Sequence, residues 1–219
     1  MNAGEILNTA LGKFAEFNVA MPSTTSAAYG RMTRRQEQLF AKGAVLNREF
    51  FGADEALAVV ANEVDTQDLN PLPMRIHVVR VEAPGTSTWA QGTQVAVVHV
   101  DDLEAELPPR ATLRDGVLEG VGTDWDGLTS IRIFHSKRPA ELTVKTDIPQ
   151  LPKQFHELLA LDIAKWLMRK AMGLTDGARK QYIDLLTQEE LELENDYERF
   201  LKDWAFAETH RFGSSADQG

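Results

Sequence analysis

Two prolines, Pro149 and Pro152, set off the stretch Ile148–Met172 from everything before it. Proline fixes φ and lacks an N–H, so it suits an extended lead-in or the first turn of a helix and little else. After Pro152 the apolar residues Phe155, Leu158, Leu159, Ile163, Trp166 and Leu167 recur at helical spacing. They make one broad stripe of the kind that faces a core. Gly173 follows as a helix stop. The sequence before this stretch reads as strands and the sequence after it as one long helix. The chain is therefore organised around a central buried helix that joins two kinds of structure.

The segments to either side take their form from that helix. Ala3–Phe17 carries Ile6, Leu7, Leu11, Phe14 and Phe17 in an amphipathic pattern, broken by Met21-Pro22-Ser23-Thr24-Thr25. A second helix is predicted over Ser26–Phe50, where Met32, Leu39 and Leu46 repeat every seven residues. Five bases (Arg31, Arg34, Arg35, Lys42, Arg48) stand there against one acid, Glu37. Gly52–Leu69 is ambiguous between strand and short helix, and Asn70-Pro71-Leu72-Pro73 marks a boundary. Strands are predicted at Arg75–Val81, Thr93–Val100, Val117–Val121, Ser130–Phe134 and Glu141–Val144, separated by turn pairs such as Pro84-Gly85, Asp115-Gly116 and Asp126-Gly127. The last helix runs from Ala178 to about Glu208, with Tyr182, Leu186, Leu193, Tyr197, Phe200, Leu201 and Trp204 on one seam. Its middle is acidic, with no Lys or Arg from 184 to 198.

The predicted class is α+β. Residues 1–69 and 148–210 form a discontinuous antiparallel helical bundle with a long C-terminal helix. Residues 72–146 form an inserted small antiparallel β-sandwich or barrel, and 211–219 a flexible tail. A net charge of −10 argues against non-specific binding to nucleic acid or anionic membrane. Without cysteine there is no disulfide framework, which fits a protein made in a reducing cytoplasm. The N-terminus lacks the pattern of a signal peptide, and no apolar run is long enough to span a bilayer.

Sites of chemistry are scarce in the sequence. There is no phosphate-binding Gly-rich loop and no nucleophile elbow. Gly116, Gly120 and Gly122 have the wrong spacing for a dinucleotide fingerprint. His77, His99, His135, His156 and His210 show no metalloprotease spacing. His99 and Asp101, with Asp102 beside them, come nearest to a metal site, yet a third ligand is wanting. Asp162, near the apolar stripe, is a candidate base or a partner for Lys165 at i+3. No catalytic residue, cofactor or metal is expected.

The order of segments carries a resemblance. Arg31-Met-Thr-Arg-Arg-Gln-Glu-Gln-Leu-Phe40 and Leu46-Asn-Arg-Glu-Phe-Phe-Gly52 lead into a β insertion containing Leu107-Pro-Pro-Arg-Ala111, Gly120-Val-Gly-Thr-Asp-Trp125 and Arg138-Pro-Ala-Glu-Leu142. The insertion closes with the proline-flanked Phe155-His156-Glu157-Leu158-Leu159 and the acidic last helix. This resembles the head-to-tail connector adaptors of tailed bacteriophages, related to tail tubular protein A. The resemblance implies a non-enzymatic virion protein assembled in the bacterial cytoplasm. It implies a ring of about twelve copies between the portal protein and the tail or nozzle proteins. Genomic DNA would pass through that ring without sequence-specific binding. Opposite charges on separate helices make Arg31, Arg34, Arg35, Glu190, Glu192 and Glu194 the candidate contacts between subunits, with Phe212 beyond them. Another virion part, such as a tail-completion protein, is an alternative. So is a small-molecule-binding or hydrolytic β domain with helical arms.

Overall fold

The computed structural model describes residues 1–13, 25–98, 109–171 and 174–213. Over these the chain is a mixed α+β protein with four α-helices and one seven-stranded sheet. It divides into two compact units. One comprises Met1–Asn47 and Pro139–Gly219, the other Arg48–Arg138.

The helical unit is built on α3 (His156–Lys170). Leu158, Leu159, Leu161, Ile163 and Ala164 are fully buried there, against α1 (Ala3–Gly12), α2 (Thr25–Leu46) and α4 (Asp176–Gly213). Pro152 caps a short 3-10 turn, Lys153–Phe155, that leads into α3. A capping box starts α1: the Asn2 side chain accepts from the Glu5 amide, and the Glu5 carboxylate accepts from the Asn2 amide. Ala3, Ile6 and Ala10 then form its buried face. From α2, Ala28, Met32, Leu39 and Phe40 are buried. The inner edge of α4 is anchored by Tyr197 and Leu201, both fully buried. The Tyr197 hydroxyl donates to the Leu39 carbonyl at 3.1 Å, and its ring meets Phe155 edge-on at 5.0 Å. Burial pushes the Tyr197 hydroxyl pKa well up.

The sheet unit runs in the order β1-β7-β3-β4-β5-β6-β2. Its strands are β1 (Gly52–Ala58), β2 (Glu63–Asp65), β3 (Pro73–Ala83), β4 (Gln94–Val98), β5 (Arg110–Arg114), β6 (Val117–Gly120) and β7 (Ser130–Lys137). The edge strands β1 and β2 are consecutive in sequence and approach one another, so the sheet nearly closes on itself. Val64, Val79, Val81, Val95, Leu118, Trp125, Ile131 and Ile133 fill its interior. Asp115 and Gly116, with φ of 51° and 86°, make the two-residue turn of the β5–β6 hairpin, the pairing such primed turns require. A Cβ on Gly120 would lie 2.2 Å from the Trp125 ring, so only glycine lets the indole reach its place. The indole N–H donates to the Arg110 carbonyl at 2.6 Å.

Four expectations change. The ambiguous stretch 52–69 supplies β1 and β2, so the chain enters the sheet unit before the proline-rich boundary at 70–73. The reason is long-range: β1 is held by seven paired positions on β7, a partner that its own short alternation cannot reveal. The sheet is not wholly antiparallel, because β4 and β5 run parallel. Arg110–Arg114 is a strand the sequence reading missed. Residues 141–144 form no strand. Their backbone is satisfied by side chains instead: Leu142 N–H donates to Thr33 Oγ1 of α2 at 2.9 Å, and Thr143 and Val144 donate to the Asp147 carboxylate at 2.6 and 2.9 Å. Those two backbone donors hold the Asp147 pKa below its ordinary value.

Candidate assembly surface

The charged faces of α2 and α4 meet inside one chain. Arg35 bonds Glu190 at 3.0 Å and also Glu194. Lys42 bonds Glu194 at 3.1 Å and Glu198 at 2.6 Å. Lys165 of α3 closes on the second oxygen of Glu190. At helical spacing, Arg35 and Lys42 are seven residues apart and Glu190, Glu194 and Glu198 four apart, so each set lies along one edge of its helix. Glu190 is only 8% exposed and sits between two cations, which keeps a buried carboxylate tolerable.

The proton equilibria reflect this. Burial pushes Glu194 upward, but the hydrogen bonds and charges of Arg35 and Lys42 outweigh it and hold its carboxyl below the ordinary value. Burial pulls Lys42 down, yet Glu198 and Glu194 together raise it. A second tie joins α1 to the same framework, where Lys13 bonds Glu157 at 3.2 Å and Glu189 at 2.7 Å.

Asp162 pairs across helices rather than with Lys165. The Arg31 guanidinium donates two parallel hydrogen bonds of 2.7 Å to its two oxygens. That fork geometry is specific to arginine and carboxylate. It gives each carboxylate oxygen a charged donor, so Asp162 is placed here as a partner in an ion pair between helices.

Beside the Arg31–Asp162 pair lies an open groove of about 520 Å³ between α2 and α3. Ala27, Gly30, Arg34 and Gln38 line it from α2, and Trp166 from α3. Trp166 is thus only half-buried, not a core residue, with the Lys170 ammonium 4.3 Å from its ring centroid. Arg34 is exposed, with no acid partner among the described residues. Of the sequence-predicted contacts, Arg35, Glu190 and Glu194 come together, Arg31 turns to Asp162, and Arg34 and Glu192 face solvent. Phe212 falls within the span of α4. Sequence reasoning gave Lys165 to Asp162 rather than to Glu190, and missed Gly30 and Gln38. The i, i+3, i+7, i+11 spacing of Ala27, Gly30, Arg34 and Gln38 was the available signal.

The sheet unit has a groove of its own, about 740 Å³, lined by Met74, Arg75, Ile76, His77, Val97 and Leu113. His77 Nε2 lies 2.5 Å from Ser136 Oγ. Ser136 is buried, so its hydroxyl is an internal partner of the His77 ring. Burial, with Arg75 and Arg48 nearby, lowers the His77 pKa. The fully buried His135 places Nε2 3.4 Å from Glu55. His99, Asp101 and Asp102 lie outside the described residues. Among the described residues no three His, Asp or Glu side chains converge as a metal site, and no helix is long and apolar enough to cross a membrane.

The sequence matches no protein-family model and no curated protein.

Proposed function

We propose that this chain is a non-enzymatic head-to-tail adaptor of a tailed bacteriophage, forming a ring that joins the portal to the tail and lets DNA pass. In this reading the four helices act as an antiparallel bundle, the sheet unit is an insertion, and the subunit is assembled into virions in the host cytoplasm. The observation that carries it is the division of charge on α4. The inner edge of that helix is neutralised by Arg35, Lys42 and Lys165. Its outer side keeps exposed acids and exposed leucines together. A long helix braced on one side and left amphipathic on the other suits a subunit that packs against neighbours. The segment order from Arg31 to Leu159 supports the same reading by resemblance.

Electron micrographs of the purified chain, alone and mixed with portal assemblies, test this. Rings that seat coaxially on portals are expected. Featureless monomers that leave portals bare would overturn it.

A further inference from the structure

The α2–α3 groove and the outer stripe of α4 complement each other, and we infer that the groove seats α4 from a second copy of this chain. This rests on the ring reading above and names the contact that would close the ring.

On the groove side, Ala27, Gly30, Arg34 and Gln38 follow one helical line, facing Trp166 of α3. Arg31 and Arg35 are neutralised within the chain. Arg34 is left as a single exposed cation without an acid among the described residues. Gly30 is exposed, and a Cβ built on it meets nothing within 4 Å. A glycine inside a helix weakens it relative to alanine, and the chain's own packing has no need of one here. An approaching second helix does, because small residues allow close contact.

On the other side, Asp184, Leu185, Gln188, Leu191 and Glu192 make one stripe on α4 at spacings of one, three and four residues. Leu185 is 61% exposed and Leu191 59%. Asp184 and Glu192 have no cation partner among the described residues. Leucines flanked by acids fit a floor of Ala27, Gly30 and Trp166 rimmed by Arg34. Groove and stripe are different patches of one subunit. Their contact is therefore head-to-tail, the kind that generates rings when the rotation closes. A phosphate backbone fits the groove less well, because the groove contains the Asp162 carboxylate and the chain carries a net charge of −10.

Sedimentation velocity of the full chain at low and high salt tests the inference, with variants Arg34→Glu, Glu192→Lys, their combination, and Gly30→Leu. Each charge reversal is expected to weaken self-association at least tenfold, on the order of the effect of like charges set against each other. The double reversal is expected to restore most of it. Gly30→Leu is expected to block association while the monomer stays folded, as read by circular dichroism, since the added side chain meets open space in the monomer. If the parent assembles and Arg34→Glu and Gly30→Leu assemble alike, this contact is wrong and the ring reading stands. If Arg34→Glu loses only affinity for duplex DNA, the groove serves phosphate and the inference is overturned. A parent that stays monomeric at all concentrations overturns the inference and the ring reading together.

Discussion

Arg31 of α2 grips Asp162 of α3 through two hydrogen bonds of 2.7 Å, one to each carboxylate oxygen. Asp162 is 13% exposed and Arg31 33%, so the pair is shielded on the acid's side and partly wet on the base's. Asp162→Asn removes the charge and half of the fork while keeping the shape. We expect a loss of about 1–3 kcal/mol, the cost of leaving a charged donor poorly matched. Urea unfolding measures it. An unchanged midpoint would mean the pair adds nothing beyond its surface setting.

Glu190 is the more consequential acid. It is buried and receives both Arg35 and Lys165. Glu190→Ala leaves two cations without their shared partner and should cost about 3–5 kcal/mol. The exposed Glu192→Ala, two residues away, should lie within about 0.5 kcal/mol of the parent. Equal midpoints for the two variants would contradict the assignment of inner and outer edges on α4.

The same network sets a pH dependence. The native pKa of Glu194 lies below its ordinary value of 4.5. Its contribution to stability is complete above that value and is lost as pH falls through the depressed native value. Lys42 works in the opposite sense. Its native pKa is raised above 10.5, so its contribution is complete below that value and is lost as pH rises through the raised one. Glu194→Gln should flatten the acid limb of a melting-temperature profile, and Lys42→Met the alkaline limb. A Glu194→Gln profile that parallels the parent below pH 5 would refute the acid-side account.

Much of the helical unit was legible in the sequence because its signal is local. Leu158, Leu159, Ile163 and Leu167 recur with the helical period and all are buried. Trp166 was misread because it sits at the edge of that stripe. Whether an edge residue is covered depends on α2, which lies far away in sequence. The opposite charges of α2 and α4 were legible, but their partners were not. The pairs Arg35–Glu190 and Lys42–Glu198 close within one subunit, whereas composition alone allows pairing within or between copies. In the sheet unit, Asp115-Gly116 announced its hairpin through turn chemistry. The strand β1 depends on β7, distant in sequence, and β5, though paired with the adjacent β6, left only a weak local trace of its own.

Trp166 and Leu159 therefore separate two readings of α3. Leu159→Ala empties a fully buried position and should cost about 2–5 kcal/mol. Trp166→Ala strips a half-buried groove wall and should cost less than Leu159→Ala, under about 2 kcal/mol. Thermal melts of the two variants decide it. A larger loss for Trp166→Ala would return the indole to the core and close the groove.

In the sheet unit, Gly120→Ala forces a methyl group into the Trp125 ring. A destabilisation of about 1–3 kcal/mol or more is expected from such overpacking. Trp125 fluorescence should shift to the red as the indole loses its seat beside the Arg110 carbonyl. An unaltered spectrum and midpoint would show that the ring can move aside.

The central claim is that identical copies of this chain close into a ring. Native mass spectrometry of the full chain measures this most directly. The account predicts one dominant closed species, since a head-to-tail contact makes a ring when its rotation closes. The resemblance sets the expected number at about twelve copies. A mass of one chain at every concentration, or an open-ended ladder of lengths with no favoured species, would contradict it.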